Sequence, residues 1–324
     1  MTNKFINDKL LLAVKVARMY YECNDTQQEI SKKLQISRPQ VSRLLQLARD
    51  EGIVEIRINS SLNLPLKLEN LLQQKFGLKK AIVVPMTTDD LNKVKENLAR
   101  VTSNYLDEIL EDGQVIGIPW GSTLSYVAEF LRERRLKNLT IVQLKGGVGR
   151  VSGNVNTYNP VITFALKLNA TPYFLPVPSI VENLQIKEIL LSDGKIKEII
   201  DLAVKADVAI YPIGRPAPAS ALVQAGYFTA EQMVDLQNRG AVGDIYARYF
   251  NIEGKVFDQE LNNRTIAIEL EKIKEKKYAI AIAGGKEYAN GILGALRGGY
   301  LNVLITDEVA AKEVLRKAGI DYND

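Results

Sequence analysis

The sequence predicts an α/β protein in two parts: an N-terminal winged helix-turn-helix, then a larger, doubly wound, mostly parallel α/β domain. Three observations carry this. The first 58 residues hold three short amphipathic helical patterns followed by a period-two stretch. From residue 81 onward, short apolar runs alternate with helical patterns. Several of those runs are continuously apolar, as in strands covered by helices on both faces. The predicted boundaries are 1–58, a linker and possible oligomerisation helix over 59–80, and 81–324.

Residues 8–22 carry a broad apolar stripe that includes Leu11, Leu12, Val16, Ala17 and Tyr20, and read as a helix. Cys23-Asn24-Asp25 breaks it. Thr26 followed by Glu29 forms a capping box for a second helix over 27–34, with Ile30 and Leu34 facing inward. Gln35-Ile36 makes a tight turn. Ser37 caps a third helix and Pro39 sits in its first turn, where a missing N–H costs little. Val41, Leu44, Leu45 and Ala48 form its apolar face; Gly52 ends it; residues 53–58 alternate like a wing strand.

Arg38, Gln40, Ser42, Arg43 and Gln46 lie off the apolar face of the third helix. Such a helix enters the major groove of double-stranded DNA by its N-terminal end. Arg38 and Arg43 suit guanine edges or phosphates, Gln40 suits adenine, and Ser37 and Ser42 suit phosphate. Gln27 and Pro39 complete the candidate DNA-binding set. Charge agrees: residues 1–58 carry a net +3 and the rest of the chain +1. The competing reading is a three-helix protein-contact module with a solvated polar face.

Residues 59–65 are polar and end in Pro65, a natural boundary. A helix with Leu66, Leu68, Leu71, Leu72 and Phe76 follows; it packs on its own domain or pairs with another subunit. Strands are predicted at 81–84, 115–118, 140–144, 172–175, 208–211, 265–269, 279–283 and 303–305. Helices are predicted at 91–110, 123–134, 160–168, 195–205, 230–238, 288–297 and 308–318.

Ligands of such sheets bind at the C-terminal ends of the strands, and four loops draw notice there. Gly117-Ile118-Pro119-Trp120-Gly121-Ser122-Thr123 offers close backbone approach, a helix N-terminus and hydroxyl donors, which suit a phosphate; equally it is a tight turn with Ser122 or Thr123 as cap. Lys145-Gly146-Gly147 puts an amine at a strand end, able to pair with an anion or attack an aldehyde, or to sit in a surface ion pair. Asp244, in Gly243-Asp244, accepts sugar hydroxyls or caps a following helix. Ala283-Gly284-Gly285-Lys286 adds a positive charge.

The composition narrows the function. The chain has no histidine, which removes the commonest general base and transition-metal ligand. One cysteine, Cys23, forbids an intrachain disulfide and a Cys/His zinc site; a small buried core residue is its usual role. No apolar run spans a membrane and residues 1–12 are no signal peptide, so a cytoplasmic protein without metal, cofactor or membrane partner is expected.

The stretch from Tyr20 to Ile58, with Gln27-Gln28-Glu29-Ile30 and Ile36-Ser37-Arg38-Pro39-Gln40-Val41-Ser42-Arg43, resembles the SorC family of bacterial regulators. So do the loop 117–123, Gln143 to Gly147, Gly240 to Ile245, and the end from Ala283 through Leu296-Arg297-Gly298-Gly299 to Ile305-Thr306-Asp307. The resemblance covers essentially the whole chain. It implies a winged helix-turn-helix joined to a sugar-binding domain similar to phosphosugar isomerases and deaminases. It also implies homo-oligomers, dimers or tetramers, that bind operator DNA and respond to a phosphorylated sugar. Gly121, Ser122 and Thr123 fall on the family's phosphate loop. Lys145-Gly146-Gly147 with Asn154-Val155-Asn156-Thr157-Tyr158 is similar to the deoxyribonucleoside regulators of the family, whose effector is deoxyribose 5-phosphate. On that likeness Lys145 forms a Schiff base with the open-chain aldehyde. One position departs: Tyr288 stands where the family usually has Lys or Arg, and Lys286 is the expected substitute. A phosphosugar isomerase, deaminase or lyase on the same fold is the alternative, and the missing histidine and attached DNA module weigh against an enzyme.

Overall fold

A computed structural model describes residues 2–54, 63–86, 90–147 and 159–322. By its internal contacts the chain divides into two units, Met1–Ser60 and Ser61–Asp324.

The first unit is three helices: α1 (Thr2–Tyr21), α2 (Gln27–Leu34) and α3 (Arg38–Asp50). The capping box closes as expected: Glu29 N donates to Thr26 Oγ1 at 3.3 Å and Thr26 N to Glu29 Oε2 at 2.7 Å. The turn before α3 is made by Gln35 in the left-handed region (φ 53°) and fastened by Ser31 Oγ donating to Ile36 O at 2.6 Å. Ala13, Val16 and Ala17 pack on Ile30, Val41, Leu44, Leu45 and Ala48 as one core. Two expectations change. Ser37 holds the N-cap position of α3, but its side chain makes no capping bond. Cys23 is exposed instead of buried, because it falls in the turn beyond the apolar stripe of α1. The expected wing, 53–58, lies mostly in residues 55–62, outside those described.

The second unit opens with α4 (Asn63–Phe76) and β1 (Lys80–Val84). Leu68 and Leu72 of α4 are fully buried in the core of this same unit, so the helix packs on its own domain. There follow α5 (Leu91–Ile109), β2 (Val115–Ile118), α6 (Ser122–Phe130), β3 (Thr140–Gln143), α7 (Asn159–Leu168) and β4 (Thr171–Tyr173). Next come α8 (Leu184–Ser192), α9 (Gly194–Val204), β5 (Val208–Pro212), α10 (Ala221–Gln224), α11 (Ala230–Asn238), β6 (Gly243–Ile245) and β7 (Arg248–Phe250). The chain ends with α12 (Gln259–Arg264), α13 (Leu270–Ile273), β8 (Tyr278–Ile282), α14 (Ala289–Gly298), β9 (Val303–Asp307) and α15 (Glu308–Lys317).

Seven strands form one parallel sheet in the order β1-β9-β8-β5-β2-β3-β4. Both faces are covered, which explains the continuously apolar runs: in β5, Val208 and Ile210 enter one core while Ala209 and Tyr211 enter the other. From β2 the chain moves outward to β3, and from β5 it moves the opposite way to β8. The loops leaving β2 and β5 therefore part at a topological switch point, where open α/β sheets bind ligands.

Two other expectations change in this unit. Residues 265–269 alternate like a strand but join no sheet. Ile266 and Ile268 are buried, and the segment is held by bridges from Thr265 to Ile180 and from Ala267 to Lys145. Asp244 precedes no helix; it lies in the antiparallel hairpin β6–β7.

Candidate ligand cavity

A cavity of about 320 Å³ opens at the switch point. The loop after β2 contributes Pro119 to Thr123, and the loop after β3 contributes Lys145. Beyond β5, Pro212 to Arg215 and the stretch into α10 line it, and Asp244 and Tyr246 enter from the hairpin. Ile282 to Gly284 and Tyr288 close it from β8, with Leu91, Lys95 and Leu98 of α5.

Each wall has a local cause. Gly121 sits at φ 145°, a backbone that L side chains rarely adopt, and caps α6 without a side chain. No side chain caps the first N–H groups of α6. Trp120 is buried; its Nε1 donates to Gly146 O at 2.7 Å and its ring stacks on Tyr227 at 6.4 Å. Ser179 Oγ donates to the same Gly146 carbonyl. A Cβ on Gly146 would collide with the carbonyl oxygens of Val177 and Pro178. The hairpin turn is Tyr246-Ala247, both at positive φ (57° and 64°), as a primed two-residue turn requires. Asp244 Oδ2 accepts from Ala247 N at 3.1 Å and steadies that turn.

Lys145 is 7% exposed and places Nζ 3.8 Å from the centroid of the Trp120 ring. Burial pushes its pKa down to about 8, against the opposing pull of the Asp244 charge. Burial likewise raises the Asp244 carboxyl, while Lys145 and the Ala247 amide hold it back. Gly214 packs directly on the Asp244 carboxylate, so any side chain there would displace it. The Tyr246 hydroxyl is buried with no hydrogen-bond partner among the described residues. Among the described residues, three cations, Lys95, Lys145 and Arg215, line the cavity against one carboxylate, Asp244. The balance favours an anion.

Of the residues singled out from sequence, Gly121, Ser122, Thr123, Lys145 and Asp244 are brought together on the cavity wall, and so is Tyr288. Gly146 and Gly147 stand behind it as backbone supports, Gly147 N donating to Val177 O at 2.8 Å. Lys286 is not on the wall: it is exposed in a 3-10 turn, Lys286–Tyr288, whose geometry turns Tyr288 inward. Residues 154–158 lie outside those described. Sequence reading missed Lys95, Arg215 and Tyr246. Arg215 was reachable by the strand-end rule that found Lys145, since Ile213-Gly214-Arg215 follows β5 directly.

In the first unit, Ser37, Arg38, Pro39, Gln40, Ser42 and Arg43 are all exposed, and Gln27 is half-buried at the start of α2. Among the described residues, no helix is long and apolar enough to cross a membrane.

Residues 60–316 match the family model described as "Putative sugar-binding domain". The chain is 35% identical over 310 residues to the deoxyribonucleoside regulator of Bacillus subtilis (strain 168), covering 95% of this chain and 98% of that one. It is 34% identical over 315 residues to the sorbitol operon regulator of Klebsiella pneumoniae, covering 96% and 99%. The crystal structure of that full-length regulator, SorC, superposes with a TM-score of 0.72 over 95% of this chain and 99% of SorC. The chain belongs to this SorC family of transcriptional regulators with a sugar-binding domain.

Proposed function

We propose that this chain is a sequence-specific DNA-binding repressor whose operator affinity is set by a phosphorylated sugar, deoxyribose 5-phosphate. In this reading it works in the cytoplasm as a dimer or tetramer. Residues 1–58 form a winged helix-turn-helix that binds operator DNA through Gln27, Ser37, Arg38, Pro39, Gln40, Ser42 and Arg43. Residues 81–324 bind the effector, with 59–80 between them.

One observation carries the effector reading: a buried amine, Lys145, shares a cavity with the open N-terminus of α6. Gly121, Ser122 and Thr123 take the phosphate through backbone N–H and hydroxyl donors. The open-chain sugar then presents C1 as an aldehyde to Lys145. The neutral Nζ adds to C1, the carbinolamine loses water to leave an imine, and a proton taken up from solvent gives its protonated form. With a pKa of about 8, roughly a quarter of the amine is neutral at pH 7.5, against roughly a thousandth for an ordinary lysine. Asp244 accepts hydroxyls of the sugar. Binding alters operator affinity only insofar as the effector prefers one state of the protein.

The test is operator binding at fixed salt, with and without deoxyribose 5-phosphate, beside ribose 5-phosphate, fructose 1,6-bisphosphate and glucose 6-phosphate. Borohydride trapping and mass spectrometry then follow the Lys145 adduct. A shift with deoxyribose 5-phosphate alone and a reduced adduct on Lys145 are expected. A shift with another phosphosugar leaves the regulator and removes the effector. Turnover of deoxyribose 5-phosphate would favour a lyase on the same fold.

A further inference from the structure

We propose that Arg215, seated against Tyr288, is the side-chain cation that engages the phosphate, and so sets the preference for phosphorylated over free sugars. This rests on the sugar-phosphate reading above. Of the three cations on the cavity wall, Lys145 lies over the Trp120 ring and is spent on the aldehyde. Lys95 enters from the half-buried side of α5. Arg215 comes from the loop after β5, one of the two strands that flank the switch point, and lines the same cavity as the α6 N-terminus, which follows neighbouring β2.

Its setting leaves its charge available. The guanidinium carbon lies 5.7 Å from the centroid of the Tyr288 ring. Tyr288 is neutral, and the ion pairs among the described residues do not include Arg215. An aromatic face orients a guanidinium without cancelling it. A contact with the ring leaves the guanidinium N–H donors for hydrogen bonding, and a forked pair of them matches two phosphate oxygens. The backbone is held as well. Pro216 follows Arg215, and a residue before proline is confined to extended conformations. Gly214 before it packs on Asp244. Arg215 is therefore clamped between the sugar-hydroxyl acceptor on one side and a proline on the other. Two phosphate binders of different kinds then share the cavity: the N–H groups of α6 and a planar fork.

The experiment uses the full chain and compares deoxyribose 5-phosphate with deoxyribose, reading half-saturation of the borohydride-trapped Lys145 adduct. Inorganic phosphate is the competitor in both series. Wild type is expected to prefer the phosphorylated sugar strongly. Arg215→Ala should cut that preference at least tenfold and weaken competition by phosphate. Arg215→Lys should fall between, since it keeps charge without the fork. Tyr288→Phe, which keeps the ring beside the guanidinium, should retain most of the preference. An Arg215→Ala variant that loses both sugars equally, leaving their ratio unchanged, assigns Arg215 a structural role and overturns the proposal. Wild type showing no preference for the phosphorylated sugar refutes the sugar-phosphate reading itself, and Arg215 falls with it.

Discussion

Replacing Lys145 with methionine should make the protein more stable at neutral pH while abolishing its response to effector. In the folded chain burial holds this amine at a pKa of about 8, whereas the unfolded chain leaves it near 10.4. Each unit of that difference is about 1.4 kcal/mol, so at pH 7 the charged lysine costs the folded state about 3 kcal/mol. The Trp120 face, 3.8 Å from Nζ, returns about 1 kcal/mol of this. Methionine has a similar length, no charge, and a sulfur that tolerates an aromatic neighbour. The variant should therefore gain about 2 kcal/mol, which in a unit of this size is roughly 4–8 °C of melting temperature. Thermal unfolding by circular dichroism reads it directly. The gain should also depend on pH in one direction. Between about pH 8 and 10.4 the unfolded chain binds more protons at this residue than the folded chain, so wild-type stability rises relative to the variant. The gap closes as pH climbs through that window. A Lys145→Met protein that melts at or below wild type at pH 7, with its far-UV spectrum intact, would refute the claim that this lysine is held in a costly environment. Its use as a nucleophile would then lose its physical basis, since site residues kept at a cost to stability are how function and folding come into conflict.

Trapping of the imine should follow the same group: its initial rate should rise with pH with a half-point near 8, and a half-point near 10 would contradict the burial argument. Gly146→Ala should destabilise by roughly 2–4 kcal/mol in urea unfolding, because its methyl meets the Val177 and Pro178 carbonyls, and should also weaken trapping by displacing Lys145. Arg43→Ala, on the exposed face of α3, should weaken operator binding by about 1–3 kcal/mol in fluorescence anisotropy; a salt slope lowered by about 1 would assign it to a phosphate instead of a base.

The sheet was legible because its strands are buried on both faces. Val208-Ala209-Ile210-Tyr211 has no polar position, and each residue feeds one core or the other. Where burial and strand pairing part company, the pattern misleads. Residues 265–269 alternate because Ile266 and Ile268 point inward, yet the segment bridges loops. The opposite failure is α8, whose apolar residues Ile186, Leu190 and Leu191 are only partly buried while Ile189 is 69% exposed, so its inner face is poorly marked in the sequence. The hairpin β6–β7 hid for a third reason. Its turn is Tyr246-Ala247, and positive φ at two non-glycine residues is invisible to a search for Asn-Gly or Asp-Gly.

The cavity divides along the same physical line. Gly121, Ser122, Thr123 and Lys145 stand at the ends of adjacent strands, and their place on the cavity wall follows from local order: each comes directly after a strand. What they face does not. Lys286 and Tyr288 are two residues apart, and charge favoured the first. A single 3-10 turn sends the lysine to solvent and the ring inward. The cation beside that ring comes from Arg215, 73 positions earlier in the chain. The sheet order that sets β5 next to β8 brings the two together. A positive charge at a strand end is thus readable from sequence, but its partner is a property of strand order. That order is fixed by which apolar faces pack together, not by anything local to either residue.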